Sequence, residues 1–337
     1  MRKSFILSVA SLVFIAMQLT PAFSAEKKLA QTGIKFLSVS LDARASGLGG
    51  AVTSLEGNST SLLYNPAGMA TMEGFVDVAF GQVSWIADIK QIYGTAAISI
   101  EGGRYGVVGI SFVTVDYGDF KGTIRADNDQ GFVDTGIFSP NAFALGVGYA
   151  RALSEKFSVG GQIRYVFQDL TGGITDFTSD QMPLISTYDM NVMAYDFGII
   201  YRTGYESLSF GMNIRNFSRE VQYIEERFQL PLTFEMGLSM NMFDFLDMDK
   251  SQHSMLLSID AVHPRDYSEQ VDVGLEYTFL NMFSLRAGST FPTDEQGFSF
   301  GAGLVQSFGD FGLAIDYAYT DFGVFDAVHR FALKFSL

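Results

Sequence analysis

Over most of the chain, apolar and polar side chains take turns one by one, the mark of strands with one oily face. Phe157, Val159, Ile163, Tyr165 and Phe167 fall on one side of such a run, and Ser158, Gly160, Gln162, Arg164 and Gln168 on the other. The same rhythm sets Leu232, Phe234, Met236, Leu238 and Met240 against Thr233, Glu235, Gly237 and Ser239. It recurs with Val271, Val273, Leu275, Tyr277 and Phe279 against Asp272, Gly274, Glu276 and Thr278, and with Phe311, Leu313, Ile315, Tyr317 and Tyr319 against Gly312, Ala314, Asp316, Ala318 and Thr320. Each run has the ~10 residues that a tilted strand needs to cross a bilayer.

The final residues keep the pattern, with Phe331, Leu333, Phe335 and Leu337 alternating with Ala332, Lys334 and Ser336. An apolar, aromatic-rich last strand is the usual insertion signal for the barrel assembly machinery, which makes that machinery an expected partner. Beyond the first 25 residues no stretch is long and apolar enough for a membrane helix, so a membrane location requires a closed barrel. A soluble sandwich would alternate too, but strand length, aromatics near strand ends and repetition to the last residue favour the barrel. The expected fold class is all-β: a transmembrane antiparallel barrel over residues 75–337, of roughly fourteen strands and an even number between twelve and sixteen. The rhythm weakens around Lys121 to Ser139 and around Met190 to Arg202, where both faces are apolar. Short turns at Glu101 to Arg104 and Leu153 to Lys156 are expected to face the periplasm, and longer polar stretches such as Asp169 to Thr187 the outside.

Residues 1–25 read as a secretory signal peptide, with Arg2 and Lys3 before an apolar run from Phe5 to Met17 and small residues near Ala22, Ser24 and Ala25. A signal anchor is the alternative, but the run is short of the ~20 residues of a spanning helix. Residues 26–74 break the alternation. Ala43 to Ala51 is small and glycine-rich, and Tyr64 to Met69 reads as a turn followed by a helix start, Asn65 capping a helix that Pro66 opens. Such a piece cannot face lipid, and a plug in the lumen accommodates it. Gly47-Leu48-Gly49-Gly50 is not a dinucleotide loop, because the full spacing and the strand–helix–strand context are missing.

Charge narrows the partners. The formal net charge of −15 argues against nucleic acid as a ligand, since phosphate binding needs a basic surface. Acids gather in expected loops, among them Asp127, Asp129, Glu225, Glu226, Asp244, Asp247 and Asp249, without completing a calcium loop. The chain has no cysteine, hence no disulfide, thiolate metal site or lipoprotein anchor. The expectation is no metal and no cofactor. Arg164, Arg215, Glu235, Asp260, Asp272, Glu276, Arg286 and Asp316 fall on the polar, lumen-facing side, where paired charges are ordinary in a barrel. His253, His263 and His329 are scattered, and no arrangement around them follows a catalytic motif, so no enzyme is expected.

In order along the chain, Phe36-Leu37, Ala43-Arg44-Ala45, Gly47-Leu48-Gly49-Gly50-Ala51 and Tyr64-Asn65-Pro66-Ala67-Gly68 resemble the N-terminal signature of the PorV/PorQ family of outer-membrane proteins, within the FadL-like group. The resemblance implies a fourteen-stranded barrel with a luminal hatch that contains Asn65, Pro66, Ala67 and Gly68, with Arg44, Gly47, Gly49 and Gly50 packed nearby as hatch or gating residues. Relatives usually carry an acidic pair upstream of the Asn-Pro turn, where this chain has Gly57 and Asn58, so no hatch carboxylate is implied there. By resemblance, the outer membrane of a diderm bacterium is the location and its lipid the surroundings. The implied role is to receive or shuttle exported cargo proteins in type IX-like secretion. The alternative is FadL-like transport of hydrophobic small molecules, such as long-chain fatty acids.

Overall fold

The computed structural model describes residues 32–178, 182–223, 226–245 and 250–337, so the expected export leader lies outside the described residues. Fourteen antiparallel strands close into one barrel. In chain order they are β1 (Val76–Ser84), β2 (Lys90–Ser99), β3 (Val107–Asp116), β4 (Asn141–Ser154), β5 (Phe157–Phe177), β6 (Pro183–Arg202), β7 (Ser209–Phe217), β8 (Thr233–Asn241), β9 (His253–Pro264), β10 (Gln270–Phe279), β11 (Phe283–Phe291), β12 (Phe298–Phe308), β13 (Phe311–Thr320) and β14 (Val328–Ser336). Each pairs with its sequence neighbours, and β1 meets β14 with Asp77 opposite Ser336 and Ser84 opposite His329. Closure leaves no row of unpaired backbone groups in lipid, where each would cost several kcal/mol.

Strand pleating then sorts the side chains. Ile110, Val147 and Ile163 are register partners across β3, β4 and β5, and all three point outward and are exposed. Ser111 and Gln162, one residue away, are buried inside. Such an outward row suits hydrocarbon, so Val147→Arg at mid-strand is expected to cost ~2–4 kcal/mol of folding free energy. Urea titration of the barrel in lipid vesicles measures this, and a loss below ~1 kcal/mol would move the row out of the membrane core.

The chain enters and leaves the barrel at the same rim, where the Leu337 carbonyl accepts from the N–H of Phe75 and of Val76. The connection 155–156 on that rim is very short. The opposite rim carries a hairpin (Phe120–Arg125 with Phe132–Phe138), a smaller one (Val221–Tyr223 with Glu226–Phe228), and the projecting ends of β5 and β6. The irregular stretch Lys121 to Ser139 is thus a hairpin outside the barrel sheet. Asp169 to Thr187 differs from a loop: β5 and β6 stay paired through it, with register shifts at Asp169/Gly172 and Ile174/Asp176. A paired ribbon satisfies its own backbone groups, which an irregular loop of that length does not.

Residues 32–74 pack against the inner wall. The helix α1 (Ala43–Gly47) touches β11, β12, β13 and β14, the turn Ser59–Leu63 touches β1, β2 and β3, and the turn Pro66–Thr71 touches β4, β5 and β6. The wall is two-sided in chemistry. On β3 to β6, Val113, Val115, Ala142, Ala144, Val166 and Val192 face inward and cluster with Ile34, Phe36, Leu37 and Leu41. The doubly apolar stretch of β6 has its reason here: Met190, Val192 and Ala194 meet that cluster, while Met193, Phe197 and Tyr201 face outward. Each fully buried side chain of this kind is worth ~1.5–3 kcal/mol. On β8 to β14 the inward positions are instead largely polar and charged.

Candidate functional site inside the barrel

Local sequence fixes how the N-terminal segment lies on the wall. Asp42 is the N-cap of α1, its carboxylate accepting from the Ala45 N–H at 3.3 Å. Gly49 and Gly50 then turn the chain at φ +66° and +94°. A Cβ on Gly49 would stand 2.5 Å from the Ser289 backbone nitrogen, and one on Gly288 would stand 2.2 Å from the Gly49 nitrogen, so backbone lies on backbone. Farther along, Asn65 accepts from the Ala67 N–H at 3.1 Å, Pro66 occupies the first helical position, and the Asn65 amide donates to the Thr53 carbonyl at 2.7 Å and to the Ile199 carbonyl on β6 at 3.1 Å. Gly68 lies against Ser61 and Leu55 of the same segment.

The charged wall closes a circuit through this segment. Arg44 grips Glu276 with two bonds of 3.0 and 2.7 Å; Arg286 reaches Glu276 at 2.5 Å and Asp316 at 2.6 Å. Lys334 lies 3.6 Å from Asp316 and 3.1 Å from Asp42, which also accepts from the Tyr93 hydroxyl at 2.9 Å. Three cations and three carboxylates therefore alternate, starting and ending two residues apart on α1 and its cap. A second cluster joins Arg215 to Glu235 at 2.6 Å and to the Leu63 carbonyl at 3.1 Å, and Asp260 accepts from the Thr53 N–H at 2.8 Å. Arg164 forms a third with Asp196 at 2.8 Å and Asn216 at 2.5 Å. Asp272 lies directly beneath Gly50 and joins no ion pair among the described residues.

Charge states follow from this packing. Burial pushes the Asp42 carboxyl up, but Lys334, the Tyr93 hydroxyl and the Ala45 N–H together outweigh it and hold the group below its ordinary range. Glu276 keeps Arg44 charged against burial, and burial aided by Asp42 pushes the Tyr64 phenol up to about 12. A depressed carboxyl stabilises the fold above its unfolded pKa of ~3.9, and that contribution disappears as pH falls through the lower folded value. Asp42→Asn is thus expected to cost ~1–3 kcal/mol near neutrality and to lose less stability than the wild type between pH 5 and pH 2. Urea unfolding across that pH window tests this; parallel acid losses in both proteins would refute it.

Two chambers open towards the long-connection rim. A polar one of about 290 Å³ is bounded by Ser40, Trp85, Arg215, Glu235, Thr320 and Arg330, and an apolar one of about 600 Å³ by Phe36, Val39, Trp85, Ile89, Met190 and Phe228. Lys35, Ser38 and Trp85 border both, so the turn Lys35–Ser38 divides them. On the lipid-facing surface, a groove of about 900 Å³ runs over Gly94 and Ala96.

Of the residues singled out from sequence, Arg44, Glu276, Arg286 and Asp316 share one network, Arg215, Glu235 and Asp260 a second, while Arg164 and Asp272 stand apart from both. Alternation and motif alone do not mark Asp42, Glu56, Asp196, Arg330 and Lys334 as site residues. Arg330 and Lys334 share the inward parity of Ala332 on a strand already recognised, and Asp42 precedes the small-residue run as a cap, so both signals were present. The pair of Glu56 with Arg202 at 2.7 Å joins positions 146 apart in sequence and has no local signal.

The family model described as "Type IX secretion system protein PorV" matches residues 22–261. No curated protein matches in sequence. Among solved structures, the toluene transporter TbuX of Ralstonia pickettii is similar at TM-score 0.57 and 12% identity, covering 88% of this chain and 97% of that one. The toluene transporter TodX of Pseudomonas putida is similar at TM-score 0.56 and 11% identity over 86% and 96%. A FadL homologue of Pseudomonas aeruginosa is similar at TM-score 0.53 and 13% identity over 88% and 97%. At these identities the likeness is one of fold.

Proposed function

The chain belongs to the PorV family of type IX secretion system proteins and is an outer-membrane barrel of a diderm bacterium, and from that premise we propose that it receives or shuttles exported proteins during secretion. The family match across residues 22–261 carries this reading. The surface offered to cargo is the long-connection rim, where the Phe120–Arg125/Phe132–Phe138 hairpin exposes Phe120, Phe132 and Ile137. In this reading the segment 26–74 acts as the hatch, and Arg44, Gly47, Gly49, Gly50 and Asn65 to Gly68 keep its described part, residues 32–74, seated. His253 bonds Tyr277, His263 lies by Glu269 and His329 bonds Tyr317, and the proposed role calls on none of the three for chemistry.

Removing residues 119–139 while leaving the barrel intact is expected to strand exported proteins in the periplasm and abolish their copurification with this protein. Undiminished export and copurification would refute the reading. The apolar chamber beside Phe36 and Met190 supports a second reading, passage of hydrophobic small molecules, and the neighbours TodX and TbuX are toluene transporters. It is separated from the first by uptake of a hydrophobic tracer, which fills that chamber's role only if Met190→Trp blocks it.

A further inference from the structure

Among the described residues, the inward-facing cations Arg44, Arg164, Arg215, Arg286 and Lys334 each pair with a carboxylate, and Arg330 does not. Arg330 is only 3% exposed, yet its guanidinium is held firmly. Its Nε donates to the Ser40 carbonyl at 2.8 Å, its Nη1 to the Thr320 hydroxyl at 2.9 Å, and the Trp85 ring lies 5.7 Å from its Cζ. Its Nη2 has no partner among the described residues, and the side chain borders the polar chamber. A buried charge without a counterion costs several kcal/mol, which a bound anion would offset.

The surroundings fit an anion. Thr320 Oγ1 accepts from both Arg330 and Ser299, the latter at 3.1 Å, which fills its two acceptor positions and leaves its own hydrogen to donate. Ser40 and Gln296 border the same space. The carboxylates that border it are either paired, Asp266 with Lys35 and Glu235 with Arg215, or, for Asp272 on β10, four strands away around the wall. The Lys35–Ser38 turn separates this space from the apolar chamber, so a hydrocarbon tail gains no contact by binding here. The geometry points to Arg330 as the anchor of a binding site for a small hydrophilic oxyanion, phosphate or carboxylate in chemistry, within the polar chamber.

Trp85, the single tryptophan, reports on the site directly. Inorganic phosphate, glycerol phosphate and hexyl phosphate are titrated into the full-length barrel in non-ionic detergent while Trp85 fluorescence is followed. Saturable changes are expected with the first two, weakened about tenfold or more in Arg330→Gln and less in Arg330→Lys. Tighter binding of glycerol phosphate than of phosphate would assign a polar-substituted ligand such as a head group, and equal binding a free oxyanion. Stronger binding of hexyl phosphate, or equal responses in wild type and Arg330→Gln, would overturn the assignment. Folding is verified by heat-modifiable gel migration. Should Arg330→Gln not fold, Thr320→Val, which removes the second donor, decides: unchanged affinity overturns the proposal and weakened affinity supports it.

Discussion

Arg286→Met is expected to destabilise the barrel by about 3–5 kcal/mol, the largest effect of any single substitution in the charged wall. The Arg286 side chain is 4% exposed and is the only group that ties Glu276 to Asp316 among the described residues. Methionine preserves most of its volume but leaves three carboxylates, Glu276, Asp316 and Asp42, to two cations, Arg44 and Lys334. The loss would therefore come from uncompensated charge and not from a cavity. Arg202→Met provides the comparison, because the Arg202–Glu56 pair at the rim is 27% and 18% exposed and such pairs contribute ~0–1 kcal/mol. Urea unfolding followed through Trp85 measures both. Equal, small losses would mean that the six-membered circuit adds nothing to stability.

Gly288→Val is expected to lift residues 43–50 from the wall. Its added Cβ would meet the Gly49 nitrogen and the Leu48 carbonyl carbon at 2.2 Å, backbone atoms of a segment that cannot yield locally. Overpacking of this kind costs ~1–3 kcal/mol where neighbours can shift, and here the neighbour is main chain with Gly49 already in the left-handed region. The expected result is a folded barrel that conducts ions across a planar bilayer and is cut by trypsin at Arg44, whereas the wild type is closed and protected. Gly94→Ala, which faces outward and would come nearest to the movable Phe80 ring at 3.2 Å, with the Ala79 carbonyl at an ordinary 3.9 Å, is expected to behave as wild type. A closed, protected Gly288→Val barrel would show that the close approach at Gly49 does not hold the segment.

Period-two alternation made the barrel legible because pleating forces it wherever a sheet separates oil from a polar interior. The runs containing Tyr165, Met236, Leu275 and Tyr317 all became wall strands. The two weak stretches failed the alternation for opposite reasons. Lys121 to Ser139 has no membrane to face on either side, and Met190 to Ala194 has apolar neighbours on both. The cap at Asn65 and the turn at Gly49 were also local and therefore readable. What sequence does not carry is which inward charge meets which: Arg44 and Glu276 are 232 positions apart, and only closure brings β10 beneath α1. Arg330 was readable as inward, but its lack of a counterion is a property of the assembled interior.

The inner wall attaches the N-terminal segment by two unlike means, ion pairs on one flank and apolar contact through Phe36 and Leu37 on the other. Acid weakens the first by neutralising carboxylates, and cold weakens the second, because apolar association loses strength on cooling. A single stress thus frees one flank and leaves the other fastened. The segment would swing like a door, with its hinge line chosen by the condition applied.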